Sequence, residues 1–123
     1  MQRVGRLPEA IDQYSTAIRL KPDYADALEN RARALRALQR NMEAVADFER
    51  LARLSPGNAF VWTERGNCLA ALGRLSDAIS SYDRALECDM RHTPAHFGRA
   101  NVLGEATRYA EAVEAYDAAL ESD

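Results

Sequence analysis

The chain repeats itself every 34 residues. Ala10, Ala44, Ala78 and Ala112 are identical at that spacing, and Arg6, Arg40, Arg74 and Arg108 precede them in step. Tyr14, Phe48, Tyr82 and Tyr116 keep an aromatic, while Ile11, Val45, Ile79 and Val113 keep a β-branched residue. A second register runs through three copies: Arg31, Arg65 and Arg99; Ala32, Gly66 and Ala100; Leu35, Leu69 and Leu103; and, less uniformly, Leu28, Trp62 and His96. Self-similarity at a period of this size restricts a chain to architectures in which one supersecondary unit stacks on the next.

Each unit reads as two helices. The 123 residues include 23 Ala against 6 Gly and 4 Pro, so strong helix formers outnumber helix breakers. In the third copy Asn58 is a natural N-cap for a run in which Ala59, Val61, Trp62, Gly66, Leu69 and Leu72 recur at helical spacing. Gly73 fits a helix stop. A second helix follows from about Ser76, with Ala78, Ile79, Tyr82, Ala85 and Leu86 on one stripe. Pro22 and Pro56 close the second helix of earlier copies. Thr93 and Pro94 open the fourth copy as N-cap and first helical residue. The connections are only a few residues long, so neighbouring helices must run antiparallel. Ala32, Gly66 and Ala100 on the first helix, with Ala44, Ala78 and Ala112 on the second, let the two approach closely; a bulky residue at Ala78 would overpack the crossing.

These residues resemble a tetratricopeptide repeat, whose consensus period is 34. The third copy carries Trp62, Gly66, Leu69, Ala78, Tyr82 and Ala85 of that pattern, and the second carries Leu28, Ala32, Leu35, Ala44, Phe48 and Pro56. The resemblance implies an all-α, right-handed superhelical solenoid of antiparallel helix pairs. In that frame residues 1–24 are the second helix of a partial repeat, 25–58 and 59–92 are whole repeats, and 93–123 is a fourth repeat without a cap. Departures are Leu51 where a small residue is usual, Met90 at the place of Pro22 and Pro56, His96 at the Trp place, and Arg31, Arg65 and Arg99 where Leu is usual. The Arg-then-small signature is similar to repeats common in bacterial proteins. Ile11, Tyr14 and Ile18 are expected to lack the helix they would pack against, and a second chain covering such an incomplete end would give a homo-oligomer.

The residues point away from catalysis. His92 and His96 are four apart, but Thr93 and Pro94 open a helix between them, and a metal site wants three or more ligands. No phosphate-binding glycine loop is present, and neither histidine pairs with a nucleophile and an orienting acid. We therefore expect no enzyme activity, cofactor or metal. Sixteen basic against nineteen acidic residues give a net charge of −3, which argues against a nucleic-acid partner. No apolar run is long enough to span a membrane, and Met1 to Ala10 lacks a signal-peptide core. Cys68 and Cys88 form no CxxC pair and read as free thiols, which suits a cytoplasmic setting.

What a solenoid does is bind a protein or peptide. In the family the groove is lined mainly by the first helix of each pair. Carried over by position, it comprises Asp26, Glu29, Asn30, Arg33, Arg36 and Ala37 from the second copy and Phe60, Thr63, Glu64, Asn67, Ala70 and Ala71 from the third. The fourth adds Phe97, Gly98, Asn101, Gly104 and Glu105. Asn67 and Asn101 occupy equivalent places with Arg33 in line before them. Their amides suit a peptide backbone, and Arg33 and Arg36 suit a carboxylate. The carboxylate clamp of chaperone-binding members is not expected, because its places hold Glu29, Arg33, Glu64, Pro94 and Gly98. The asparagine ladder of O-linked N-acetylglucosamine transferase is not expected either, since only Asn30 of Asn30, Glu64 and Gly98 matches. Arg31, Arg65 and Arg99 are expected to pair with acids on the second helices, where Glu49, Asp83 and Asp117 recur. The resulting reading is a non-catalytic interaction scaffold. The alternative is the partner-recruiting region of a larger bacterial enzyme such as a glycosyltransferase.

Overall fold

A computed structural model describes residues 6–121 of the chain. Six helices follow one another: α1 (Leu7–Leu20), α2 (Ala25–Ala37), α3 (Asn41–Leu54), α4 (Ala59–Ala71), α5 (Leu75–Cys88) and α6 (Thr93–Glu121). No strand occurs among the described residues. Each helix packs chiefly on the next in sequence, with α4 also touching α6, which makes a solenoid of antiparallel pairs.

The repeat columns are the core. Ala44 and Ala78 are fully buried, as are Ala32 and Leu28, and Phe48, Leu69 and Tyr82 are nearly so. A Cβ built on Gly66 would lie 2.8 Å from the Tyr82 ring, so the small residue there is what admits the aromatic of the next helix. Leu51 is also buried, so this departure from the family pattern serves as core. Asn58 caps α4 as expected, its Oδ1 accepting from the backbone N–H of Phe60 at 3.0 Å and of Val61 at 3.4 Å.

The two inner pairs turn by the same device. After α4 the N–H of Gly73 donates to the Ala70 carbonyl and that of Arg74 to the Leu69 carbonyl, with Gly73 at φ +77°. After α2 the N–H of Gln39 donates to Arg36 and that of Arg40 to Leu35, with Gln39 at φ +60°. Both are Schellman turns, which need one residue in the left-handed region.

The fourth copy does not make this turn. Instead of the expected helix pair, 93–121 runs as one helix of 29 residues. The residue one period after Gln39 and Gly73 is Thr107. A β-branched side chain is costly in the left-handed region. Thr107 stays helical, and its hydroxyl donates to the Leu103 carbonyl at 2.9 Å. The first half of α6 still docks as a first helix, burying Ala95 and Val102, with Gly98 against Tyr82.

At the other end the expectation for α1 needs correction. Ile11 and Ile18 are buried, because α1 packs on α2, the first helix of the next repeat; Tyr14 is half-buried. Residues 1–5 of the expected partial repeat, and 122–123 of the last, lie outside the described residues.

Candidate functional site

Two adjoining clefts lie along the first helices. One, of about 500 Å³, is lined by Glu29, Arg33, Arg36 and Ala37 of α2, by Phe48, and by Asn58, Phe60, Val61 and Glu64 at α4. The other, of about 360 Å³, is lined by Arg36, by Asn67, Ala70 and Ala71 of α4, by Tyr82, and by Gly98, Asn101, Val102 and Glu105 of α6. Arg36 belongs to both and joins them.

A chain of polar contacts crosses the junction. Arg36 is ion-paired with Glu64. The Asn67 amide nitrogen lies 3.4 Å from the other Glu64 oxygen, and the Asn67 carbonyl accepts from the Tyr82 hydroxyl at 2.6 Å. Burial pushes the Tyr82 phenol up to about 12, so it stays a donor across the physiological range. This fixes the orientation of the Asn67 amide. Arg33 is paired with Glu29 across one helical turn at 2.7 Å. Asn101 is exposed, and no hydrogen bond to its side chain is seen. Phe60 stands out from α4, two-thirds exposed, with its ring edge-on to His92 at 4.7 Å between centroids.

The expected groove residues therefore separate. Glu29, Arg33, Arg36, Phe60, Glu64, Asn67 and Asn101 are brought together in the two clefts. Asn30 and Phe97 are exposed but line neither. Thr63 must be corrected: it is 2% exposed and its hydroxyl donates to the Ala59 carbonyl, so it faces the core. Its place in the first helix is one residue off the stripe that Glu64 and Asn67 share, and periodicity alone does not separate the two. Tyr82 is the residue the sequence reading missed. It was legible as the aromatic of the second helix, but nothing in the spacing shows its hydroxyl reaching the cleft. The signal lay in Gly66 and Gly98, where added Cβ atoms would stand 2.8 and 2.5 Å from the ring.

Away from the clefts, the three repeat arginines are paired as expected, with a change of partner. Arg31 forms a two-pronged bond to Asp47 at 2.7 and 2.8 Å and donates to the Ser15 hydroxyl at 3.2 Å. Arg65 bonds Glu49 at 3.1 Å and also the Ser81 hydroxyl. Arg99 bonds Asp83 at 2.9 Å. Each arginine looks 16 residues back, to 15, 49 or 83, and the first two also look 16 residues forward, to 47 or 81. Asp117 is not used, because its equivalents Glu49 and Asp83 each serve the arginine 16 residues later rather than the one of their own copy, and Asp47 completes the set.

The departures at Met90 and His96 also find a role. Trp62 donates its indole N–H to the Pro56 carbonyl at 2.9 Å, and His96 Nε2 stands 2.8 Å from the Met90 carbonyl. These are the same bond one period apart, so Nε2 is the protonated nitrogen of His96. His92 is buried against Phe60, so the two histidines serve different neighbours. Among the described residues no group of three or more His, Cys, Asp or Glu is placed to hold a metal ion. Both cysteines are free thiols, Cys68 buried and Cys88 exposed. No helix among the described residues is long and apolar enough to cross a membrane.

The family model for the tetratricopeptide repeat matches residues 2–59 and again 30–93. Among solved structures, the first such domain of Spaghetti (RPAP3), bound to the HSP90 peptide SRMEEVD, is 25% identical. That match covers 84% of this chain and 82% of that one at a TM-score of 0.77. The second domain of human RPAP3, in complex with the HSP70 peptide SGPTIEEVD, is 23% identical over 80% of this chain and 82% of that one, with a TM-score of 0.74. MamA from Desulfovibrio magneticus RS-1, residues 41 to the end, matches at 16% identity over 95% of this chain and 66% of that one, with a TM-score of 0.78. No curated protein sequence matches the chain.

Proposed function

Because the chain belongs to the tetratricopeptide repeat family, we propose that it is a non-catalytic scaffold that holds an extended peptide segment along α2, α4 and α6. The observation that carries this reading is Arg36, which joins two clefts built from three successive first helices. Asn67, with its amide orientation set by Tyr82, and the exposed Asn101 offer donors and acceptors to a peptide backbone. Phe60 offers an apolar platform for one side chain of the ligand.

The charge of the clefts selects the ligand. Arg33 and Arg36 are already matched by Glu29 and Glu64, and Glu105 adds a further acid. An acidic tail of the kind held by the RPAP3 domains would meet these carboxylates, and the clamp places do not supply the cations it needs. A neutral or basic extended segment with an apolar side chain fits better. The test is titration of a library of extended peptides, SRMEEVD included, against wild type and the Phe60→Ala, Arg36→Ala and Asn101→Asp variants. Neutral or basic peptides should bind, SRMEEVD should not saturate, and Phe60→Ala should weaken binding about tenfold, the scale of a single anchor residue. Unchanged affinity in all three variants would remove the groove from the reading.

A further inference from the structure

In the second and third copies the second helix folds back and covers the first. In the fourth both surfaces exist and neither is covered. On the first half of α6, Leu103 is 39% exposed, where its equivalents Leu35 and Leu69 are 3% and 1%. Ala100 is exposed where Ala32 is fully buried and Gly66 is buried. On the second half, Tyr116 is 73% exposed, where Phe48 and Tyr82 are each 1%. Ala112, Val113 and Leu120 lie open beside it.

A straight helix cannot bring its own two halves together. We infer that α6 pairs antiparallel with α6 of a second copy, so that each chain's 109–121 segment closes the fourth repeat of the other. Three observations fit one another. The segment 109–121 carries the register that α3 and α5 use to cover α2 and α4, so the occupant of this face is already written in the chain. The face that receives it, Ala100 and Leu103, lies on the same helix, so two copies satisfy each other reciprocally, as a two-fold interface requires. And Thr107, the residue that keeps the helix straight, is its midpoint. An antiparallel pair centred one residue before it, at Ala106, sets Ala100 opposite Ala112 and His96 opposite Tyr116 of the second copy. The same offset, centred on Leu38, relates Ala32 to Ala44 and Leu28 to Phe48, all four of them buried between α2 and α3. The hinge that fails to turn thus converts an internal contact into one between chains.

The experiment uses the 123-residue chain in light scattering, with circular dichroism as the check on helix content. Wild type should run at twice the chain mass at micromolar concentration. Thr107→Gly, which removes the obstacle to the turn, should shift it at least tenfold towards monomer with helix content preserved. Ala100→Cys and Ala112→Cys chains, each also carrying Cys88→Ser, are then unfolded together, refolded and oxidised. A covalent heterodimer joined through 100 and 112 is expected. Wild type that is monomeric up to hundreds of micromolar would overturn the inference, and so would an Ala100→Cys/Ala112→Cys double variant that closes within one chain. So would a dimer that forms no 100–112 bond, since it would use another surface.

Discussion

Three arginines at one repeat position do not carry equal weight. Arg31 and Asp47 form the most buried pair, with the Asp47 side chain only 4% exposed, and the bond to Asp47 holds the guanidinium above its ordinary pKa. Removing Arg31 leaves a carboxylate in the core without its cation, which costs about 3–5 kcal/mol in comparable pairs. Arg99 and Asp83 meet near the surface, where such a pair contributes under about 1 kcal/mol. Urea denaturation should therefore show a large loss for Arg31→Ala and a small one for Arg99→Ala. The double variant Arg31→Met/Asp47→Leu should recover most of the first loss, because it leaves no buried charge unpartnered. The existence of these pairs was legible from the 34-residue spacing. Which acid each arginine takes was not, since an arginine between two second helices is within reach of either, and only the packed geometry decides.

At the scale of the element, helix ends carry the information. Asn58 as a cap and Gly73 as a stop were legible because each has a local chemistry that few other residues supply. Gln39 has no such signature, yet it occupies the same left-handed position as Gly73. A non-glycine residue there carries a strain of about 1 kcal/mol. Gln39→Gly should raise the unfolding free energy by about that amount, measured by urea titration, and leave helix content unchanged. Thr107 is the converse case. Its apolar pattern matches the other copies on both sides, so periodicity predicts a helix pair. The outcome turns on one β-branched side chain at the position where the backbone would have to reverse. Patterns of burial register which faces are apolar; they do not register whether the connection between them can bend.

At the scale of the whole molecule, the stack is joined through its middle. Tyr82 sits between Gly66 of α4 and Gly98 of α6, and Cys68 is fully buried on α4. Burial raises the Cys68 thiol from its ordinary 9.0 to about 11, and the Tyr82 phenol from 10.0 to about 12. In the unfolded chain both groups lose their protons earlier than in the folded one. Above pH 9 the unfolded state therefore binds fewer protons, and stability falls as pH rises towards 12. The urea midpoint should be flat from pH 7 to 8.5 and decline beyond it, with a shallower decline in Cys68→Ala. The solenoid and its first-helix face were legible because the repeat columns are redundant: several residues report each packing position. The clefts were legible only in part, because the sequence names residues on a helix face without saying which are turned inward, as Thr63 is.

The arginine pairs have a consequence for how such a chain can be rearranged. Each arginine has one carboxylate among its flanking places: Asp47 with Ser15 for Arg31, Glu49 with Ser81 for Arg65, and Asp83 alone for Arg99, whose own helix runs straight on. Excising residues 25–58 would preserve every hydrophobic column, yet it would set Arg65 between Ser15 and Ser81 with no acid at all. Duplicating the same segment would set the second copy of Arg31 between Glu49 and Asp47, with two. The repeats are alike in shape but not interchangeable, and their order is recorded in charge.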